Sequence, residues 1–279
     1  MQSLALPLNA PLRDLAAWTR AFAEAPIPVL DTTAEVLEAM RPNEDEVDAS
    51  ALGEMIADDP LMTLKVLVHA AANRPARVVT EPETVTAALV LMGISPFFAG
   101  FGAQPTVQQR LGAFPDALAG LREVVRRAHR AANFALGFAV HRMDPDAAML
   151  HQAALLHDFA EMLLWCHAPA LALRIRHAQQ ADPALRSSVA QRAVLNIELP
   201  DLQHALMLHW RLPQLLVRIT DDRRATDAEV QNVLLAVRVA RHTAEGWDNA
   251  AIPDDARDVA RLLNLSEPAA LALLQELDT

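Results

Sequence analysis

The sequence predicts an all-α protein. It has only 8 Gly and no Tyr in 279 residues, which leaves little for β-sandwiches or glycine-rich nucleotide loops. Hydrophobic residues make up 52% and charged residues 21%, the balance of a folded chain with a sizeable core rather than a disordered one. The 18 Pro fall between apolar runs of helical spacing, where they punctuate helices.

The first expected helix is Leu12 to Ala23, set among Pro7, Pro11, Pro26 and Pro28, with Leu15, Trp18 and Phe22 on one face. Asp31 or Thr32 is placed to cap a second helix running to Met40. An acidic loop, 41–48, precedes a third at 49–57. Asp58-Asp59-Pro60 then joins an Asp cap to a Pro at the first helical position. The run from Leu61 to Ala72 is apolar around most of its circumference, as in a buried central helix. A loop over Asn73–Thr80 leads to a helix from Pro82 to Met92, with Gly93 as its C-cap. Residues 94–113 are broken by Gly100, Gly102 and Pro105. Phe114 to His141 is a long helix carrying Arg122, Arg126, Arg127 and Arg130, and Asp144-Pro145 starts the next. Further helices fall at 169–180, 183–195, 199–210, 213–220, Thr226–Glu245, Asp254–Leu263 and Glu267–Leu277, about fourteen in all.

A net charge of −11 disfavours general nucleic-acid binding, which relies on cations that neutralise phosphates. The single Cys166 excludes an intramolecular disulfide and fits a reducing compartment; it is expected to be buried and inert. Met1 to Pro11 lacks a basic start and a long apolar core, so no signal peptide is expected. No apolar run reaches about 18 residues, so no membrane span is expected either. The expected compartment is the cytoplasm.

The chemistry concentrates in His151–Trp165, which has neither Gly nor Pro and is expected to be one helix with His157-Asp158 near its middle. Adjacent helical positions lie about 100° apart, so an imidazole and a carboxylate there could reach one cleft and share a divalent metal such as Fe, Mn or Zn. The bland reading is a hydrogen-bonded core pair, with Asp158 fixing the imidazole tautomer. Glu161, one turn beyond His157, either orients the imidazole or is a solvated charge. His151, six residues before His157, and His204 and His209, five apart, have poor spacing for shared ligation. Asp221 and Asp222 either complete a mixed carboxylate site or start a loop and cap the next helix. The Arg row on the long helix either binds an anionic ligand such as a cyclic dinucleotide, or is a solvated face whose charges pair with nearby acidic residues.

Two stretches resemble the HDOD family, bacterial signalling output domains related to HD phosphohydrolases. One is Ile27-Pro28-Val29-Leu30, then Asp59-Pro60-Leu61-Met62-Thr63-Leu64-Lys65-Val66-Leu67, then Ala87-Ala88-Leu89-Val90-Leu91-Met92-Gly93. The other is Leu155-Leu156-His157-Asp158-Phe159-Ala160-Glu161, followed by His209-Trp210-Arg211-Leu212-Pro213. The order and spacing match over roughly residues 20–225. The resemblance implies a two-lobed helical HDOD fold with a degenerate HD-type core: an N-terminal lobe at 12–113, an HD-like core at 114–225, and a C-terminal extension at 226–279.

Catalytic HD enzymes bind metal through an earlier His, the His-Asp dyad and a distant Asp. By alignment Arg127 stands near the earlier His, with His129 out of register, and Arg241 stands near the distant Asp. Leu199 and Asp221-Asp222 occupy positions where many members carry His. A guanidinium from Arg127 or Arg241 could therefore pair with Asp158 where a cation once sat. The dyad, His157 and Asp158, survives, whereas most of the other metal-ligand positions do not. The implied role is a non-catalytic regulator that binds a signalling protein, with no resident cofactor. The alternatives are a metal-dependent phosphohydrolase acting on a nucleotide or cyclic dinucleotide, and a nucleotide sensor without turnover.

Overall fold

The computed structural model describes residues 7–74 and 81–278. The expectations for Met1 to Pro11 and for the Asn73–Thr80 loop fall partly outside those residues. Seventeen α-helices lie among the described residues, along with two 3-10 turns, Arg41–Glu46 and Asp222–Arg224. The first seven helices are α1 (Leu15–Glu24), α2 (Asp31–Met40), α3 (Ala49–Ala57), α4 (Pro60–Ala72), α5 (Val85–Met92), α6 (Ile94–Gly100) and α7 (Val107–Leu111). Then come the long α8 (Pro115–His141), α9 (Ala147–Leu155), α10 (Phe159–His167), α11 (Pro169–Ala181), α12 (Ser187–Leu195), α13 (Leu199–His209) and α14 (Gln214–Ile219). The last three are α15 (Ala228–His242), α16 (Ile252–Leu263) and α17 (Glu267–Leu277). The described residues hold no β-strand beyond an isolated parallel bridge between Val29 and Thr106, and no helix is long and apolar enough to cross a membrane.

The chain divides into two compact units that interleave along the sequence. The first runs to Val124 and resumes over Asp158–Leu212; the second is Val125–His157 with Pro213–Thr279. Helix α8 gives its start to the first unit and the remainder to the second.

In the first unit α4 is the central element. Asp59 is its N-cap, with Oδ1 accepting from the amides of Leu61 (2.9 Å) and Met62 (3.0 Å), and Pro60 fills the first helical position. Leu61, Met62, Leu64 and Val66 are fully buried, as the all-round apolar pattern requires. Asp59 Oδ2 also accepts from the Leu30 amide at 2.7 Å. Two residues into the next turn, Thr63 donates to the Ile56 carbonyl at 3.0 Å. Lys65 donates to the Ile27 carbonyl at 2.9 Å and to Gln104 Oε1. Burial lowers its ammonium to about 8, against the opposing charge of Asp59. The Asp59 carboxyl is itself raised by burial, although its hydrogen bonds to Met62, Leu30, Thr33 and Leu61 act the other way.

Elsewhere in this unit Trp18 of α1 is fully buried and donates from Nε1 to the Leu195 carbonyl at 2.9 Å. At Gly120 of α8, a Cβ would lie 2.6 Å from the Trp165 ring, so a hydrogen there is what lets the indole pack against the helix. Helix α2 starts at Asp31, but the residue before it, Leu30, stands at the cap and brings no side-chain bond. Asp31 is thus the first helical residue rather than the cap, and the Leu30 amide before it is held by Asp59.

In the second unit α15 packs against α9, α14 and α16, and α16 against α17. A charge network joins α15 to α16. The buried Asp255 faces Arg238 Nε at 2.7 Å and His242 Nδ1 at 2.6 Å, and Arg238 also reaches Asp258 at 2.6 Å. Asn264 ends α16 in the left-handed conformation, which Asn tolerates.

Candidate functional site

His157 and Asp158 do not lie within a helix. Helix α9 ends at Leu155, α10 starts at Phe159, and Leu156–Asp158 form a turn. The single helix expected over His151–Trp165 is therefore corrected to two. The break is a tightening of the backbone: the His157 amide bonds back three residues, to the Ala154 carbonyl at 3.3 Å. Asp158 then takes φ −112° and ψ 24°, outside the helical range, at the cap of α10. No Gly or Pro marks this turn, so periodicity alone runs straight through it.

His157 is buried, at 8% exposure, and its Nε2 lies 3.0 Å from Asp222 Oδ1. Asp222 opens the second 3-10 turn, and its neighbour Asp221 caps that turn by accepting from the Arg223 amide at 3.2 Å. The two expectations for the Asp pair thus separate by residue. Asp222 joins the imidazole, whereas Asp221 caps a turn; the cap position of the next helix, α15, falls to Asp227. Asp222 belongs to the second unit with His157, whereas Asp158 begins the first unit's second segment.

The other candidates fall on several helices. Glu161 is half-buried in the first turn of α10. His151 is half-buried on α9; His204 is half-buried and His209 exposed on α13. Leu199 is buried at the start of α13. Arg127 and His129 are half-buried on α8, and Arg241 is exposed near the end of α15. Cys166 is fully buried, and burial pushes its thiol up to about 12, with Arg110 opposing. A thiol held protonated there is chemically inert.

A second polar pair lies at the end of α10. Arg110 of α7, 8% exposed, donates to the Cys166 carbonyl at 2.9 Å and faces His167 Nδ1 at 3.2 Å. A guanidinium only donates, so Nδ1 accepts and the proton of the neutral ring sits on Nε2. Burial and the Arg110 charge lower His167 to about 3. The sequence offers no sign of this pair, since 57 residues separate its members.

The donor set does not fit a hydrolytic metal. Such a site commonly takes three protein ligands and a water. Among the described residues no three His, Cys, Asp or Glu side chains come together to hold an ion, and His157 Nε2 already faces a carboxylate.

The other conspicuous motif residues serve the backbone and the core. Asp59, Thr63 and Lys65 hold main-chain groups, as described above. Phe159, directly after the dyad, lies 6.0 Å from the Trp210 ring, centroid to centroid. Arg211, next in line, takes φ +54° and turns the chain so that the Leu212 amide reaches the Met207 carbonyl at 3.0 Å.

The model of the HDOD domain matches residues 27–225. The chain belongs to the HDOD family. The matched span carries both groups of motifs and the His157–Asp222 pair, and it ends just before α15. Among solved structures, chains of the same fold include the response regulator MmoQ from Methylococcus capsulatus str. Bath. That match has a TM-score of 0.66 and 18% identity, and covers 90% of this chain and 99% of MmoQ. A virulence factor from Campylobacter jejuni subsp. jejuni matches with a TM-score of 0.63 and 15% identity, covering 95% of this chain and 98% of that one. Identities this low establish a shared fold. No curated protein matches the chain.

Proposed function

We propose that this HDOD protein is a non-catalytic regulator that works by binding a signalling protein. The observation that carries the reading is at the dyad: His157 Nε2 faces Asp222 at 3.0 Å, and no third metal-binding side chain joins them among the described residues. A buried imidazole already paired with a carboxylate is a structural unit, since the pair satisfies a polar group that is costly to bury alone. The fold shared with MmoQ, a response regulator, supports a place in signalling. In this reading residues 12–113 form the lobe peculiar to the family, 114–225 its degenerate HD core, and 226–279 an extension.

Elemental analysis of untagged protein tests it, with wild type beside Asp158→Ala and Asp222→Ala. The expected result is no stoichiometric Fe, Mn, Zn or Ni in any of the three after incubation with those ions, and no phosphodiesterase or phosphatase turnover. Near-stoichiometric metal that disappears in Asp158→Ala, accompanied by metal-dependent turnover, would overturn the reading in favour of a phosphohydrolase.

A further inference from the structure

The second unit contains a groove of about 480 Å³ that has no connection with the His157–Asp222 pair. One wall is α8, through Arg126, Arg130 and Asn133; the other comes from the segment after α15, with Thr243 and Trp247, and from the end of α17, with Asp278. Arg126, Arg130 and Asn133 are spaced i, i+4 and i+7, so they share one face of the helix. The second wall lies entirely beyond residue 225, where the family match ends.

The groups in this groove fall into two classes. Arg130 and Asp278 are scaffold. Arg130 donates from Nε to Asp278 Oδ1 (2.6 Å), and from Nη2 to Asp278 Oδ2 (2.7 Å) and Thr243 Oγ1 (2.6 Å); Nη1 lies 3.3 Å from the Ala240 carbonyl. Trp247 Nε1 donates to Asp278 Oδ2 at 3.1 Å, which fixes the indole in the wall. Thr243 also donates to the Val239 carbonyl at 2.7 Å. The one carboxylate lining the groove is thus matched by a guanidinium and cancels its charge. Arg126 and Asn133 are the second class. Both are exposed, and neither has a hydrogen bond or ion pair among the described residues. The groove therefore offers one uncompensated guanidinium, one open amide and one fixed aromatic ring.

We propose that this groove binds a nucleoside phosphate. Its three open groups match that ligand class part by part. A guanidinium takes a phosphate through paired N–H donors. A carboxamide presents both a donor and an acceptor to the edge of a base. An indole held in place stacks on a base without losing further rotamer freedom. The volume lies within the range of about 300–1,000 Å³ typical of small-molecule sites. An inorganic anion would use Arg126 alone and leave the other two groups without a role. The site depends on the C-terminal extension and not on the dyad, so it stands or falls separately from the reading of His157.

Calorimetric titration of the full chain with AMP, GMP and inorganic phosphate tests the proposal. Saturable binding of AMP or GMP at millimolar concentration is expected, with inorganic phosphate binding more weakly. Arg126→Ala should weaken binding by about tenfold or more, the loss of a charge-assisted pair. Asn133→Ala should weaken it less, and should change the ratio of AMP to GMP affinity. Both positions are exposed, so both variants should fold. Arg122→Ala, exposed on the same helix but outside the groove, should leave binding unchanged. Asp158→Ala should also leave it unchanged, which separates this site from the dyad. No saturation by either nucleotide overturns the proposal, as does binding that Arg126→Ala leaves intact. Equal affinity for inorganic phosphate and nucleotide overturns the nucleoside part.

Discussion

Lowering the pH from about 7.5 to about 5 should cost the fold about 2 kcal/mol through a single side chain, His167. The ring is 4% exposed, and its Nδ1 faces Arg110 Nη2 at 3.2 Å. Burial first, and the guanidinium second, oppose an imidazolium there and lower its pKa from 6.5 to about 3; the Pro26 carbonyl acts weakly in the other direction. An unfolded chain takes up the proton as pH falls through 6.5, but the folded chain does so only near 3. The unfolded state then binds more protons than the folded one across that window. Stability is therefore full above 6.5, falls by about 1.4 kcal/mol per pH unit down to about 3, and levels off below. Carboxylates also titrate on the acid side, so wild type must be compared with His167→Gln. Glutamine keeps an acceptor for Arg110 and has no proton to gain. Urea unfolding of both proteins at both pH values should show wild type losing about 2 kcal/mol more than the variant. An equal loss in the two would mean that His167 is not held neutral by its surroundings, and the argument from burial beside Arg110 would fail.

Asp59→Ala should destabilise by about 2–4 kcal/mol, since it orphans the buried amides of Leu30, Leu61 and Met62 together; chemical denaturation reads the loss. Gly120→Ala should cost about 1–3 kcal/mol, because its Cβ would lie 2.6 Å from the Trp165 ring and the indole would have to shift. A changed near-UV circular dichroism spectrum with an intact far-UV spectrum would locate that effect in packing. Asp222→Ala should cost about 1 kcal/mol, the worth of one hydrogen bond to His157 from a half-exposed partner. A much larger loss in a denaturation series would show that the carboxylate holds more than the imidazole.

The helices were legible because their apolar spacing is regular and their caps are local. Asp59-Pro60 announces α4 within two residues, and α17 begins and ends where the pattern places it, at Glu267–Leu277. What the sequence hid is of two kinds. The turn at Leu156–Asp158 has apolar residues on both sides and no breaking residue, so a helical pattern continues across a break whose cause is backbone tightening. The pairings of His157 with Asp222, 65 residues away, and of Arg110 with His167 exist only after folding, and no spacing rule reaches them. The motifs themselves explain why family membership was readable while chemistry was not. Asp59, Thr63 and Lys65 hold the Leu30, Leu61 and Met62 amides and the Ile56 and Ile27 carbonyls, and Phe159 lies beside Trp210. Polar side chains occupied with main-chain groups keep a fold in register and leave nothing over for a substrate. A motif made of such residues identifies an architecture and is silent about a reaction. Chemistry is better sought among polar groups that the fold does not use, which in the second unit directs attention to Arg126 and Asn133 on α8 rather than to the dyad that first draws the eye.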